Sequence, residues 1–226
     1  MEGNNRYLNI PVFMLRDLYD DSKRFFDDAF DVGIYLYSKT LEGNEEKRYK
    51  DSLSFLGITQ SNISNGIRNA KKILSGLPEK YPIVGIDKDM LFNYYKYNKA
   101  EFEIICLGAF LAVKSIIGKK LYNKTNKAMI HARMFGYKSP KELPETLSHL
   151  QEKLKARRQM DKILVELQLN WHLNLLWNHN RGIYVSFDLS LEKLAVIVEK
   201  DKRKSRLKEL KEEKRSAIEK AKLCTT

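Results

Sequence analysis

The chain has 226 residues, 43% hydrophobic and 31% charged, a composition typical of a globular protein rather than a disordered one. This length suits one large domain or two small ones. The formal net charge is +12, although residues 1–60 hold eight Lys/Arg against eleven Asp/Glu, so the positive excess lies in the remainder. A basic surface favours a polyanion such as nucleic acid, while a lysine-rich composition also serves solubility alone.

Cysteine usage and hydropathy argue against a secreted or membrane-bound protein. Cys106 and Cys224 are too widely spaced for a metal knuckle or a redox motif, so we expect free thiols in a reducing cytosol. The most apolar stretch, IICLGAFLAV at 104–113, has about half of the roughly twenty residues that a membrane span needs, and it predicts a buried helix. The first residues lack the pattern of a secretory signal. We therefore expect a cytoplasmic protein without membrane contact.

The first 86 residues predict a compact helical unit. Hydrophobic spacing predicts one helix over 22–41, which stops before Gly43, and two more within 47–58 and 59–78. The stretch YPIVGI at 81–86 is either a short strand or a link to the next helical segment.

The segment YKDSLSFLGITQSNISNGIRNAKKIL resembles the helix-turn-helix of bacterial DNA-binding proteins. Gly57 lies between two apolar residues, where a glycine permits the bend, and Ile63 and Ile67 would pack inward. The resemblance implies that polar residues of the second helix face the major groove, where amide and guanidinium groups recognise base edges. These residues are Gln60, Ser61, Asn62, Ser64, Asn65 and Arg68. A corner between two core helices would show the same periodicity, and that alternative stays open.

Residues 87–190 predict helices followed by a β-hairpin. Two helices separated near Asn98 end at Gly118, and Thr125 is expected to cap the next helix. After further helical segments the period changes to two, because WHLNLLW and IYVSFDL alternate as strands do. This alternation places Trp177 on the same side as Leu173. The intervening NHNRG is typical of a tight hairpin turn.

This order resembles the winged-helix superfamily, in which helix, short strand, helix, recognition helix, strand, wing and strand succeed one another. The matching segments are 101–118, 121–124, 125–137, 157–169, 171–177, 178–182 and 183–189, with 140–156 as an addition. The resemblance implies DNA contact by the start of the recognition helix and by the wing. The residues concerned are Arg157, Arg158, Gln159, Lys162, His179, Asn180 and Arg181. A solvated helix surface and an ordinary sheet edge are the alternative.

The predicted fold class is mainly α with a small β-hairpin wing, as tandem helix-turn-helix and winged-helix units plus a charged C-terminal helix. The predicted domains are 1–86, an N-terminal helix-turn-helix domain; 87–190, a winged-helix domain; and 191–226, a basic helix and tail. Ser190 is expected to cap the last helix. Residues 199–222 hold eleven Lys/Arg against six Asp/Glu, and their sparse leucines do not predict a strong coiled coil.

Two further features concern chemistry. The aromatic residues Phe92, Tyr94, Tyr95 and Tyr97 can stack on unpaired bases or, as is commoner, cover a core. The four histidines lack partners at metal-ligand spacing, and the sequence contains neither a P-loop nor a nucleophile elbow. We therefore expect no enzymatic activity, no cofactor and no metal.

Two helix-turn-helix-like units in one chain loosely resemble the tandem winged-helix replication initiators of plasmids and the regulators of mobile elements. The leading hypothesis is a DNA-binding protein that acts on double-stranded DNA as a sequence-specific transcriptional regulator or a plasmid or mobile-element replication-associated factor. The alternative is a protein-protein interaction module on a winged-helix scaffold, which docks a replication, transcription or phage-assembly protein. A homodimer would let two recognition helices meet successive turns of the duplex, and the sequence leaves this open.

Overall fold

The chain is mainly helical and carries two small antiparallel sheets, which confirms the predicted mainly α class with a small β-hairpin. The computed structural model describes residues 7–59, 62–75, 77, 81–178 and 182–223. The helices are α1 (Ser22–Ser38), α2 (Glu45–Leu56), α3 (Ile63–Leu74), α4 (Lys88–Lys96), α5 (Glu101–Ile117), α6 (Lys127–Met134), α7 (His149–Lys155), α8 (Arg157–Asn170) and α9 (Leu191–Leu223). The strands are β1 (Tyr7–Pro11), β2 (Ile83–Asp87), β3 (Asn123–Thr125), β4 (Asn174–Asn178) and β5 (Gly182–Ser186).

The bend expected between α2 and α3 is present. Gly57 ends α2 with a left-handed backbone (φ 66°), a conformation that glycine adopts at little cost. The Asn62 side chain then accepts a hydrogen bond from the Asn65 amide (2.9 Å) and so begins α3. Ile67 is buried and Ile63 packs against the same core, as predicted.

The N-terminal segment forms a strand that the sequence did not predict. β1 pairs antiparallel with β2, and Leu8 lies opposite Ile86. Both Leu8 and Ile10 are fully buried, because the ribbon packs against α1. The contact with α1 is so close that a Cβ at Gly33 would lie 2.8 Å from the Cβ of Leu8. Only a glycine at this position allows the strand to approach the helix.

The second half contains the predicted succession of helix, strand, helices and hairpin. The short strand β3 joins the hairpin in a three-stranded antiparallel sheet with the order β3-β5-β4. One face of the hairpin packs on the main core through Leu175 and Val185. The other face packs on α9, where Tyr184 and Leu194 are buried together. Burial on both faces explains why β5 lacks the exposed side that its alternation predicted.

Two local predictions are wrong. Helix α1 ends at Ser38 rather than at residue 41. Thr125 belongs to β3, and Asn126 caps α6 instead, with its side chain accepting a hydrogen bond from the Met129 amide (2.8 Å). Trp177 is exposed, because it lies at the end of β4 beyond the core that covers Leu175.

One continuous hydrophobic core includes residues from both halves of the chain. The turn after β1 reaches the second half, where the ring of Tyr19 contacts that of Phe135. The Tyr81 hydroxyl donates a hydrogen bond to the Gly136 carbonyl (2.7 Å). The proposed boundary between residues 86 and 87 therefore crosses a packed region, and the three domains stay a prediction.

Candidate nucleic-acid interface

A groove of about 790 Å³ lies between α6, α8 and the β4-β5 hairpin. Two helices begin there, since Lys127 is the first residue of α6 and Arg157 is the first residue of α8. Lys155, the last residue of α7, lines the same groove. Helix N-termini carry partial positive charge, so this arrangement places peptide dipoles and cationic side chains together. The groove is chemically suited to a phosphate backbone.

The cations of the groove are partly paired with one carboxylate. Asp161 accepts a hydrogen bond from the Lys127 ammonium group and lies 3.9 Å from the Arg157 guanidinium. The Arg157 side chain is nevertheless 91% exposed, and Lys155 contacts Glu152 at 3.7 Å. The pairs of Arg157 and Lys155 are surface ion pairs, which contribute little stability, so these two cations can exchange carboxylate for phosphate.

An indole ring and an aliphatic side chain form the apolar part of the groove. Trp177 is 53% exposed, and the Lys127 ammonium lies 4.9 Å from its ring centroid. Val165, on the outward side of α8, is also exposed and lines the groove. This combination offers surfaces for both the sugar-phosphate backbone and the apolar edges of bases.

The residues predicted on α8 are divided among three directions. Arg157 lies in the groove, and Arg158 is exposed. Gln159 and Lys162 line a separate depression against α5, where the Lys162 ammonium lies 4.7 Å from the ring of Phe102. The structure therefore brings only Arg157 of this set into the groove. The predicted wing residues His179, Asn180 and Arg181 lie outside the described residues.

The exposed face of α3 carries the polar residues predicted for the first unit. Ser64, Asn65 and Arg68 are exposed, and the Arg68 guanidinium donates a hydrogen bond to the Asn65 side chain. Asn62 caps the helix, and its side chain accepts a hydrogen bond from the Asn65 amide. Gln60 and Ser61 lie outside the described residues.

Acidic residues from α2 border this face of α3. The Lys71 ammonium lies 2.6 Å from the Glu45 carboxylate, and Glu46 lines the same depression. The hydrogen bond from Lys71 lowers the pKa of Glu45, and the same bond raises the pKa of Lys71. The depression has no net positive charge, because Glu45 and Glu46 balance Arg68 and Lys71 in its lining. It is thus a weaker site for phosphate than the groove at α8.

Sequence reasoning missed Lys127, Lys155 and Trp177. Lys127 and Lys155 lie within segments that were predicted as helices. The sequence therefore indicated their positions on these helices, but not that both side chains face the same groove. Which side of α6 and α7 faces the hairpin depends on packing against α5 and α8, contacts between residues distant in the sequence. The available signal for Lys127 was a cation directly after a capping asparagine.

Three further observations concern metal ligands, the Cys106 thiol and membrane spans. No three His, Cys, Asp or Glu side chains among them cluster as metal ligands would. Burial raises the pKa of Cys106 to about 12, so this thiol stays protonated near neutral pH. No described helix is long and apolar enough to cross a membrane.

No protein-family model matches the chain, and neither does any curated protein or any solved structure.

Proposed function

We propose that the chain is a double-stranded DNA-binding protein whose main contact is the groove between α6, α8 and the β4-β5 hairpin. The observation that carries this proposal is the convergence of two helix N-termini, Lys127, Lys155 and Arg157 on one side of a hairpin. The sheet order β3-β5-β4 and the succession of elements resemble those of a winged helix, and this resemblance supports the same proposal. Its role would be that of a sequence-specific regulator or a replication-associated factor.

The proposed binding mode places the first half of α8 in the major groove. Lys155 and Arg157 would neutralise phosphates at the edge of that groove, and Lys127 would do so from α6. Arg158 and Val165 lie on the outward side of α8, where a guanidinium suits guanine and an aliphatic side chain suits the thymine methyl group. The hairpin would lie along the adjacent backbone, as a wing does.

A second, weaker contact is proposed for α3. Its exposed Asn65 and Arg68 can recognise base edges. Glu45 and Glu46 oppose phosphate nearby, so this helix would contribute sequence choice more than affinity.

Selection from a pool of random duplex DNA tests the proposal. The purified full-length chain would be incubated with the pool at two salt concentrations, and the retained molecules would be sequenced. An enriched motif that changes in Arg158→Ala assigns base recognition to α8, whereas a motif that changes only in Arg68→Ala assigns it to α3. Retention without a motif would identify a general nucleic-acid binder. Absence of retention even at low salt would refute the proposal.

One observation favours a second candidate, a protein-binding surface on α8. Leu169 is 72% exposed and Val165 is 51% exposed, one turn apart on the outward side of the helix. Exposed apolar neighbours of this kind mark protein contacts in many soluble proteins. A protein retained from a lysate at high salt by the native chain, and lost from a Leu169→Ser variant, would favour this candidate. Retention that disappears with salt would not.

A further inference from the structure

A second basic depression, of about 480 Å³, lies between the start of α1 and the segment that joins α4 to α5. Three lysines line it: Lys23 from α1, Lys96 from the end of α4, and Lys99 from the joining segment. Its described lining includes no carboxylate side chain. By contrast, Asp161 lines the groove at α8. The lining itself is therefore cationic, and the nearest carboxylates lie behind it, where Asp27 accepts a hydrogen bond from the Tyr95 hydroxyl and Glu103 lies near Tyr94. The proposed duplex contact does not use this surface.

Tyrosine rings are interleaved with these lysines. Tyr97 is 53% exposed, and the ammonium groups of Lys96 and Lys99 lie 5.5 Å and 5.9 Å from its ring centroid. Lys99 also lies 5.2 Å from the ring of Tyr94. The ring of Tyr94 packs against that of Trp171, with 6.3 Å between the ring centroids. The result is one anchored ring and one outward ring, with cations beside both.

The other members of the aromatic run pack on α1. Phe92 and Tyr95 contact the ring of Phe30, at 4.7 Å and 5.9 Å between centroids. Tyr95 is nevertheless 42% exposed and also lines the depression, and Tyr97, at 53%, is the more exposed of the two rings. Tyr97 is the better placed of the two for a ligand, because it is the more exposed ring and lies beside two lysine ammonium groups.

We propose that this depression binds an unpaired nucleotide of single-stranded DNA. The base would stack on Tyr97. The ammonium groups of Lys96 and Lys99, which lie beside the tyrosine rings, would form ion pairs with the flanking phosphates. Stacking on an aromatic ring beside a positively charged groove is how many proteins hold single strands without sequence preference. A duplex does not satisfy the site, because its base faces are already stacked inside the helix. The site is independent of the groove at α8.

The test is binding of a fluorescently labelled thymidine strand of about ten nucleotides, a length within the usual site size, to the full-length chain. Tyr97→Ala should weaken binding of this strand by roughly tenfold, whereas Tyr97→Phe should bind as the native chain does, because the ring is kept. Tyr7→Ala is the matched control, since Tyr7 is also an exposed tyrosine beneath a lysine, with Lys114 at 4.4 Å. Equal binding by Tyr97→Ala and the native chain would overturn the proposal.

Competition identifies what is recognised. Thymidine monophosphate should displace the labelled strand at a lower concentration than inorganic phosphate does, because only the nucleotide supplies a base. Displacement by inorganic phosphate or polyglutamate at the same concentration as the nucleotide would show a simple anion site and overturn base stacking. Alanine variants of Lys155 and Arg157 should leave this single-strand binding intact, so failure here is distinguishable from failure of the duplex proposal.

Discussion

The ammonium group of Lys127 and the carboxylate of Asp161 form an ion pair across the groove between α6 and α8. The same carboxylate lies 3.9 Å from the guanidinium of Arg157, so one acid contacts the first residues of two helices. This pairing reduces the positive charge of the groove while it holds both cations at its edge. Asp161 is therefore expected to oppose the binding of phosphate.

Replacing Asp161 by asparagine should strengthen binding to any duplex. The change removes a negative charge facing the phosphates and releases Lys127 and Arg157, so we expect the dissociation constant to fall by roughly threefold at low salt. Asp51→Asn, an exposed position on α2, makes the same change in net charge and should have little effect. Titration of a labelled duplex followed by fluorescence anisotropy measures both. Weaker binding by Asp161→Asn would mean that the carboxylate organises the site or contacts a base.

Gly182 begins β5 and should tolerate no side chain. Its φ is +97°, and an added Cβ would overlap the carbonyl oxygen of Thr125 in the neighbouring strand β3. Gly182→Ala should lower the free energy of unfolding by more than the roughly 1 kcal/mol that a left-handed alanine costs, because backbone must also shift. Thermal denaturation of the purified variant checks this.

The matched control for this substitution is Gly118→Ala. Gly118 also has a positive φ, of +62°, but its added Cβ would meet no heavy atom within 4 Å. This variant should show only the conformational cost. Equal losses of stability in the two variants would contradict the close packing of the hairpin against β3.

Stability should fall in mild acid because of His131. Burial lowers the pKa of this imidazole below its usual 6.5, and its Nε2 lies 2.8 Å from the Gln151 carbonyl oxygen, which joins α6 to α7. The unfolded chain therefore takes up a proton near pH 6.5 that the folded chain takes up only at lower pH. The free energy of unfolding should be unaffected above this pH and should decrease below it.

His131→Gln should flatten that decrease, since glutamine does not titrate and can donate the same hydrogen bond. His149→Gln, at an exposed position that begins α7, serves as the control and should keep the pH dependence of the native chain. Urea denaturation at several pH values between about 5 and 8 measures the difference. An unchanged slope below pH 6.5 in His131→Gln would exclude this histidine as the cause.

The end of α9 should contribute electrostatically to DNA binding. Leu194 and Val198 attach the start of α9 to the hairpin, and the Tyr184 hydroxyl donates to Asp201 at 3.2 Å. Residues 203–226 contain nine Lys/Arg against four Asp/Glu. A chain ending at residue 202 should keep its melting temperature but bind duplex less tightly. The slope of log affinity against log salt should be smaller by at least about one unit, because fewer counterions are released. An unchanged salt dependence would place the tail away from DNA.

Local patterns in the sequence predicted those features that depend on neighbouring residues. A helix stop predicted the bend at Gly57, and another predicted the separation of α4 from α5 near Asn98. Turn residues and a change of period predicted the pairing of β4 with β5. Strand β1 was missed because its partner β2 is more than 70 residues away, and YLNIP alone is too short to show alternation.

The groove was harder to predict than the elements that form it. Arg157 was identified because it begins a helix, but Lys162 on the same helix turns toward Phe102 and not toward the hairpin. Alternation predicted the side of the strand on which Trp177 lies but not its exposure, which depends on the position of Trp177 at the end of β4 beyond the core. A hydrophobic period of 3.6 or 2 shows which face of a helix or strand is buried. It does not show how a helix is oriented relative to a sheet, because tertiary packing determines that orientation.

Binding of phosphates by the groove at α8 can be measured through the salt dependence of duplex binding. The variant carrying Lys155→Ala and Arg157→Ala would be compared with the native chain and with a control carrying Lys39→Ala and Lys50→Ala, two exposed lysines of the first unit. If the groove at α8 holds phosphates, the slope of log affinity against log salt should lose about two units in the groove variant and stay unchanged in the control. Equal slopes in all three proteins would contradict DNA binding at this groove.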